Sequence, residues 1–427
     1  MQEFVVARAE AGGRFDKYLK RLLPLASSGF LYKMLRKKNI TLNDKKAEGK
    51  EILAEKDVVR LFFSEETYLK FAGRSEGVSG QDGADEESKG SVKMPEKNGQ
   101  EAGFSLFPDR ACQERYSFRK SGEGYRKAYR QLGKIPVIYE DEDILILNKP
   151  AGVLSQKAKR EDVSLNEWMI GYLLEKKEIS EDGLLRFCPS VCNRLDRNTS
   201  GLLLCGKTLR GSRFLSEILR DRSLHKYYLT YAEGKIEHPI TLKGYLTKET
   251  ERNRVKVISE EEYREKVLMA EPEEYQEKVL TTEAEVYQKK ATVAETGYRH
   301  KSMGEEFGKK TLARDETGRG YQKIETVLRP LFYSEKEDCT KLEILLVTGK
   351  SHQIRAHLSE IGHPVLGDIK YGWKPRRREE MGLKYQLLHA HKVEFPKTEG
   401  EFDYLSEKVV TAPLPELFEK LERQKCL

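Results

Sequence analysis

The stretch from Cys192 to Lys207 reads CNRLDRNTSGLLLCGK, and the rest of the chain is best understood from it. A polar run from Asn193 to Ser200 is followed at once by three leucines, Leu202–Leu204, between two glycines. A short apolar run bounded in this way predicts a buried strand. One carboxylate, that of Asp196, is therefore expected in the loop directly before a core strand.

The neighbours of Asp196 make its carboxylate a candidate for chemistry. Arg194 and Arg197 flank it, and cations this close favour the ionised form. The end of a rigid strand also holds a side chain well enough for catalysis. An aspartate in a loop more often forms a turn or a surface ion pair. The case for Asp196 therefore depends on the rest of the sequence.

Composition and charge limit the class of protein. The chain has 427 residues, enough for two to three domains, with 38% apolar and 34% charged residues and a net charge of +7. Basic residues exceed acidic ones by six in 1–60 and again by six in 110–134, whereas 258–296 has six more acidic than basic residues. This distribution suits a polyanion bound near the N-terminal part and the second basic segment, although ordinary solvation by lysine produces it too.

The six cysteines are scattered and lack the paired spacing of a zinc site. They are expected to be free thiols in a reducing cytosol. The sequence has neither the apolar core of a signal peptide nor an apolar run long enough to cross a membrane. We therefore expect a cytoplasmic protein with no metal and no membrane partner. Four of the eight histidines, His352, His357, His389 and His391, show no metal-ligand spacing and are expected to be structural or to face RNA.

Residues 1–67 are predicted to form a small α/β unit. Two helices are followed by a strand at Ile40–Leu42, a turn at Asn43 and a strand at Val58–Phe62. This order resembles the S-four RNA-binding domain of a small-subunit ribosomal protein and of tyrosyl-tRNA synthetases. A helix pair with a basic end is common, so DNA-binding and purely structural roles stay open. The resemblance implies RNA contacts by five basic residues: Arg14, Lys17, Arg36, Lys37 and Lys38.

Residues 68–134 break this pattern, because Gly, Ser and charged residues dominate 72–103. We expect a flexible linker there. Its later part, 110–134, is basic and includes Tyr125 and Tyr129. Such a segment either follows an RNA backbone and stacks on unpaired bases, or is simply solvated.

A second domain is predicted over residues 135–427. Apolar strands are expected at 144–147, 202–204, 226–231 and 342–347, with a last strand at 387–396 that closes the sheet. Residues 258–325 interrupt it with a polar repeat whose tyrosines, Tyr263, Tyr275 and Tyr287, lie twelve residues apart. Since the repeat is too short and too polar for a solenoid, we interpret 258–325 as an insertion in a loop.

Seven motifs in this domain carry a resemblance to a known family. Together they resemble the RluA-type pseudouridine synthases, and the N-terminal unit makes the chain similar to members that act on large-subunit ribosomal RNA. Asn193 stands where many members have His, and Lys350-Ser351 where many have Arg-Thr. The motifs are NKPAG (148–152), RLDRNTSGLLL (194–204), KYYL (226–229), TGKSHQIRAHL (348–358), GHPVLGDIKYG (362–372), LLHAH (387–391) and APLP (412–415).

This resemblance implies an α+β fold, in which a mixed, mostly antiparallel sheet flanked by helices follows the small α/β domain. It implies that Asp196 is the nucleophile and that Arg355 pairs with it and keeps it charged when RNA covers the site. Tyr228 would stack on the uracil and Arg194 would fill the space left by the flipped nucleotide, with Lys226 also at the RNA. The reaction implied needs no cofactor or metal. The partner would be RNA, bound by a monomer.

Two other functions stay open from the sequence. The chain could be a non-catalytic RNA-binding factor in ribosome assembly, or a uridine isomerase of transfer RNA. By pattern alone, Tyr228 in an alternating strand is typical of a core and Arg355 on a helix is typical of a surface. Their joint presence with Asp196 favours an enzyme. No second carboxylate accompanies Asp196 as an acid–base partner, so a lone nucleophile is expected, acting on the anomeric carbon or on the uracil ring.

Overall fold

The computed structural model describes residues 1–72, 122–159, 161–249, 254–265 and 320–423. Within these ranges the chain forms one small sheet and one large sheet with helices on their faces. The strands are β1 (Gln2–Val5), β2 (Ile40–Leu42), β3 (Lys45–Lys46), β4 (Val58–Leu61), β5 (Val137–Glu140), β6 (Ile144–Lys149), β7 (Ser190–Val191), β8 (Ser200–Gly206), β9 (His225–Glu233), β10 (Ile240–Glu249), β11 (Arg254–Ile258), β12 (Gln322–Ser334), β13 (Cys339–Leu346), β14 (Leu388–Glu394) and β15 (Val409–Thr411).

The helices cover the sheets and supply much of the core. None of those described has the length and hydropathy needed to cross a lipid bilayer. A short 3₁₀ helix spans Ile369–Tyr371. The α-helices are α1 (Phe15–Leu22), α2 (Ser28–Arg36), α3 (Glu65–Ala72), α4 (Glu123–Leu132), α5 (Leu165–Glu175), α6 (Glu181–Arg186), α7 (Leu209–Arg220), α8 (Glu260–Tyr263), α9 (Gln353–Glu360), α10 (Pro375–Glu380) and α11 (Glu416–Arg423).

The small sheet has the antiparallel order β1-β4-β2-β3. Helix α1 buries Phe15, Tyr18 and Leu19 against it, which the spacing of three to four residues allows on one helix face. Ser27 caps α2 by accepting a hydrogen bond from the backbone N–H of Phe30. The two helices α1 and α2 and the strands β2 and β4 lie where the sequence predicts them, whereas β1, β3 and α3 are not predicted from it. The RNA-binding role of the unit stays a prediction.

The predicted linker, 68–134, is folded at both of its described ends. Tyr68 is buried in the core of the small unit, and α4 packs against α5 with Tyr125 and Ala128 buried. The prediction of a linker failed there because the apolar residues of α4 are spaced for one helix face but surrounded by charge. Buried Tyr125 is not available to stack on RNA bases. Residues 73–121 lie outside the described ranges.

The large sheet has the order β11-β10-β12-β13-β9-β14-β8-β6-β5, with β15 beside β14 and β7 beside β8. Every pairing between these strands is antiparallel except that of β14 with β8. Helices α5 and α7 pack against the sheet with buried Leu, Ile and Trp side chains. The expected α+β fold with a mixed, mostly antiparallel sheet is therefore confirmed.

The sequence predicts that the strand at 387–396 closes the sheet. In the structure this strand, β14, lies in the middle of the sheet. It pairs antiparallel with β9 and parallel with β8, where Ala390 faces Gly201. Gly201 has φ +109°, and a Cβ there would lie 2.2 Å from the carbonyl oxygen of Ala390. Only glycine permits this approach. Strand β14 thus joins the strand that follows Asp196 to the strand that carries Tyr228.

The predicted insertion at 258–325 begins and ends inside the sheet. Strand β11 already pairs with β10, and β12 begins at Gln322 rather than after 325. Tyr263, the first tyrosine of the repeat, stacks on Tyr245 with ring centroids 3.8 Å apart and is buried. Tyr275 and Tyr287 lie outside the described residues. The sequence predicts the return to the sheet four residues late, because three of the four residues Gln322–Glu325 are polar and only Ile324 is buried.

The small unit contacts the large one through a buried ion pair. Glu10, only 1% exposed, accepts a hydrogen bond from the Arg186 guanidinium at the end of α6. Arg213 of α7 donates to the carbonyl oxygen of Gly12. The two units are therefore packed together in this structure and not merely tethered.

Candidate active site

The loop between β7 and β8 holds Asp196 in a fixed backbone conformation. Ser155 Oγ donates to the carbonyl oxygen of Leu195 at 3.0 Å and accepts from its N–H at 3.1 Å. The N–H of Thr199 donates to the carbonyl oxygen of Asp196 at 3.1 Å. Because Leu195 and the backbone carbonyl of Asp196 are both held by hydrogen bonds, the Asp196 side chain starts from a fixed position.

Lys149, the last residue of β6, stabilises the same loop through hydrogen bonds to its backbone. Its ammonium is fully buried and donates to the carbonyl oxygens of Pro150, Arg197 and Thr199 at 3.0, 2.8 and 2.7 Å. Burial lowers the pKa of Lys149 to about 7, against the opposing effect of the Asp196 charge. The sequence analysis quoted this lysine within NKPAG but assigned it no role.

Asn193 braces the start of the loop against β8. Its Oδ1 accepts from the N–H of Leu204 at 2.7 Å, and its Nδ2 donates to the carbonyl oxygen of Leu202 at 3.3 Å. The departure from His at this position therefore serves the backbone of the strand and leaves the Asp196 carboxylate untouched.

Arg355 of α9 connects two carboxylates. Its Nη1 donates to Asp196 Oδ2 at 3.0 Å. Its Nε and Nη2 donate to the two oxygens of Asp368 at 2.6 and 2.8 Å, a bidentate pair. Arg355 is only 6% exposed, so the surface position that is typical of such a pattern does not apply. The pairing with Asp196 that the resemblance implies is present.

Asp368 and Tyr371 are site residues that the sequence analysis missed. The Arg355 guanidinium lies over the Tyr371 ring, 4.9 Å from its centroid. Burial alone would lower the pKa of Arg355, but the hydrogen bonds and charge of Asp368, followed by the Asp196 charge, raise it. Both residues lie in the quoted GHPVLGDIKYG motif, which is the signal that could have identified them.

Tyr228 lies on β9 beside the carboxylate and is 7% exposed. Burial, and after it the negative charge of Asp196, raise the pKa of the Tyr228 phenol above its ordinary value. The side chain is therefore a neutral phenol at physiological pH. It can donate a proton or stack on a ring, but it does not start as a phenolate base.

His352 lies before α9 with φ +56°, a conformation that is uncommon outside glycine. Its Nε2 is 3.9 Å from Asp196 Oδ2, and its Nδ1 is 2.9 Å from the Tyr371 hydroxyl oxygen. His352 therefore belongs to the site. Of the other histidines singled out in the sequence, His357 and His389 are buried against the hydroxyls of Thr326 and Ser200. The Nδ1 of His391 lies 3.0 Å from the carbonyl oxygen of Ala412.

Asp196, Tyr228, His352, Arg355 and Asp368 line a cleft with a volume of about 1180 Å³. Exposed Arg194 and half-buried Lys226 both line this cleft, while their contacts with RNA stay a prediction. Such a concentration of cations is suited to phosphates. The five basic residues predicted on the small unit are exposed and lie outside this cleft. The other cations of the cleft are Arg197, Arg220, Arg222, Lys350, Lys370 and Lys384.

The geometry offers one carboxylate oxygen for chemistry. Arg355 and His352 both approach Oδ2 of Asp196, and no hydrogen bond to its Oδ1 is present among the residues that the structure describes. No cluster of three or more His, Cys, Asp or Glu in those ranges is arranged to hold a metal ion.

Comparisons with known proteins show which family the chain resembles. Residues 143–360 match the family model described as RNA pseudouridylate synthase. The chain is 25% identical over 381 residues to the ribosomal large subunit pseudouridine synthase C of Rickettsia felis, covering 89% of this chain and 87% of the relative. It is 24% identical over 270 residues to the ribosomal large subunit pseudouridine synthase D of Borreliella burgdorferi, covering 63% of each. Human RNA pseudouridylate synthase domain containing 4 is similar in structure, with a TM-score of 0.45, 16% identity, and coverage of 71% of this chain and 97% of that one.

Proposed function

The chain belongs to the RNA pseudouridylate synthase family and is an RNA pseudouridine synthase; from this premise we propose that it isomerises uridines of large-subunit ribosomal RNA with Asp196 as its nucleophile. The names of the relatives from Rickettsia felis and Borreliella burgdorferi support this class of RNA. The observation that carries the proposed role of Asp196 is its 3.0 Å hydrogen bond to buried Arg355 in a basic cleft.

The reaction rearranges the nucleoside without loss or gain of atoms. The bond from ribose C1′ to uracil N1 breaks, the freed ring turns, and C1′ bonds to C5. The proton that C5 loses is balanced by the one that N1 gains. A carboxylate that attacks either the sugar or the ring must be ionised and must have an open oxygen. Asp196, with Oδ2 held by Arg355 and Oδ1 open, meets both conditions.

Tyr228 and Arg194 are proposed to stabilise the flipped-out nucleotide and the RNA that it leaves. An enzyme that works on a base inside a helix must extrude it and stabilise it in a pocket. The ring of Tyr228 in the cleft wall would stack on the uracil, and exposed Arg194 would occupy the vacated space. Loops and bulges of RNA lower the cost of extrusion, so we expect target uridines there.

The basic surface of the small unit is proposed to bind the same RNA outside the cleft. Its five cations, Arg14, Lys17, Arg36, Lys37 and Lys38, are all exposed. Three cysteines of the described ranges, Cys192, Cys205 and Cys339, are free thiols, which fits the proposed action in the cytoplasm. We propose that the enzyme acts as a monomer.

The decisive experiment takes RNA from cells that lack the gene for this enzyme, treats it with purified enzyme and maps the pseudouridines that form. Purified wild-type enzyme should create carbodiimide-dependent reverse-transcription stops in large-subunit ribosomal RNA. Asp196→Ala and Asp196→Asn should lower the rate by more than about a thousand-fold, as loss of a nucleophile does. Asp403→Asn, an exposed carboxylate outside the cleft, is the matched control and should keep the wild-type rate.

Two outcomes would contradict the proposal at different points. Modification by Asp196→Ala at the wild-type rate would refute the nucleophile. Stops confined to transfer RNA would refute the ribosomal substrate and favour the transfer-RNA alternative, with the enzyme class unchanged. Thermal unfolding of each variant shows that loss of rate is not loss of fold.

A further inference from the structure

A chain of hydrogen bonds runs from the backbone of β11 to His352. The N–H of Val255 donates to the Tyr371 hydroxyl oxygen at 3.0 Å. That oxygen lies 2.9 Å from Nδ1 of His352. A phenol can accept one hydrogen bond and donate another at the same time, whereas a backbone N–H only donates. The Tyr371 proton is therefore free to point at Nδ1.

This chain selects one tautomer of His352. If Nδ1 accepts from Tyr371, the ring proton is on Nε2, which faces Asp196 Oδ2 at 3.9 Å. The opposite tautomer would place a nitrogen lone pair against the carboxylate and leave the Tyr371 proton without that acceptor. Electrostatics between Nε2 and the carboxylate therefore favours the Nε2–H form.

We propose that His352 is a positioning residue which, as the neutral Nε2–H tautomer set by Tyr371, holds Oδ2 of Asp196 beside Arg355 and so makes Oδ1 the attacking oxygen. The distance of 3.9 Å is longer than a hydrogen bond, and such contacts in free enzymes tighten when substrate binds. This inference rests on the proposed role of Asp196.

The groups around His352 keep it neutral. Burial is the main cause that lowers its pKa, and the positive charges of Arg355 and Lys370 act in the same direction. The negative charges of Asp196 and Asp368 act against them. Protonation of His352 at acid pH would add a proton to Nδ1. Nδ1 could then no longer accept a hydrogen bond from the Tyr371 hydroxyl, and the chain of hydrogen bonds would be interrupted.

A double-mutant cycle tests the chain with the RNA that the wild-type enzyme modifies in the mapping experiment. Tyr371→Phe keeps the ring under Arg355 and removes only the hydroxyl. His352→Ala and Tyr371→Phe should each lower the single-turnover rate by about ten-fold, which corresponds to about 1.4 kcal/mol and is the size expected for one hydrogen bond. The double variant should lose no more than His352→Ala alone, because both changes break one chain.

Further variants separate positioning from structure. His352→Gln can place an amide N–H near Asp196, so it should recover most of the rate and flatten the acid side of the pH–rate profile. RNA affinity should change less than about two-fold in every variant, since kcat and not binding carries the effect. His238→Ala, at an exposed histidine outside the cleft, should behave as wild type.

The inference is overturned if the losses of His352→Ala and Tyr371→Phe multiply in the double variant, or if His352→Gln is as slow as His352→Ala. A wild-type rate for His352→Ala overturns it too. If only the role of His352 is wrong, Asp196→Ala is still inactive. If the proposed nucleophile is wrong, Asp196→Ala is active, so the two failures are distinguishable.

Discussion

At the scale of single residues, Asp368 orients the guanidinium of Arg355, and Arg355 in turn orients the carboxylate of Asp196. The bidentate pair with Asp368 fixes the direction of the third N–H, the one that meets Asp196. A lysine could not replace it, because a point charge lacks this planar fork. Asp368 is thus a positioning residue at one remove from the chemistry.

Removing Asp368 is therefore predicted to damage both stability and activity. Asp368→Ala leaves a buried cation with one carboxylate fewer, which should lower the free energy of unfolding by about 3 kcal/mol and, by misplacing Arg355, the single-turnover rate by about ten- to a hundred-fold. Urea denaturation and the RNA assay measure the two effects. Glu343→Ala breaks a surface pair with Arg329 and should cost less than about 1 kcal/mol. Equal losses in the two variants would contradict this account.

The motifs predict which residues belong to the site better than they predict what each does. Asp196 and its pairing with Arg355 follow from the sequence through the family resemblance, and the structure has this pair. Lys149, His352 and Asp368 lie in quoted motifs without an assigned role. Their roles depend on burial and on which atom faces which, and linear spacing contains neither quantity.

At the scale of elements, α4 shows how sequence composition can hide a packed helix. Its charged residues made 68–134 look like a linker, yet α4 lies close against α5. Gly171 permits this approach, because a Cβ there would lie 2.3 Å from the carbonyl oxygen of Tyr125. The strands were predicted more reliably, since runs such as Ile144–Leu147 are apolar throughout.

Gly171→Ala is predicted to separate α4 from α5. Overpacking of this kind should lower the free energy of unfolding by about 1–3 kcal/mol, partly offset by the better helix propensity of alanine. Gly29→Ala is the control, because Gly29 also lies in a helix and no atom would approach its Cβ within 4 Å. Denaturant titration of both variants checks the prediction. Equal stability would mean that α4 does not pack closely in solution.

At the scale of the whole molecule, two basic regions are joined through a packed interface. The cleft has one set of cations and the small unit another, and the pair of Glu10 with Arg186 lies between the units. The α+β class and this division could be predicted from sequence. The position of β14 could not, because strand order in a sheet depends on pairings between distant segments.

The small unit is predicted to add a salt-dependent share of RNA binding. The triple variant Arg36→Gln, Lys37→Gln and Lys38→Gln removes up to three phosphate contacts, so the slope of log affinity against log salt should become shallower by about two. Filter binding with Asp196→Ala enzyme at several salt concentrations measures it. A matched triple change to Gln at exposed Lys235, Lys336 and Lys397 should leave the slope unchanged. The same slope in both triple variants would contradict RNA contact by this surface.

The central place of β14 sets a condition on synthesis of the protein. Translation delivers Asp196 and Tyr228 long before residues 388–394, the strand that joins their two halves of the sheet. A nascent chain that lacks β14 therefore contains both side chains but not the strand that pairs with β8 and β9 and brings them together. Premature termination upstream of this strand yields products that contain most of the motifs and no working site. The enzyme thus becomes competent only once residues 388–394 have been synthesised and have paired with both halves of the sheet.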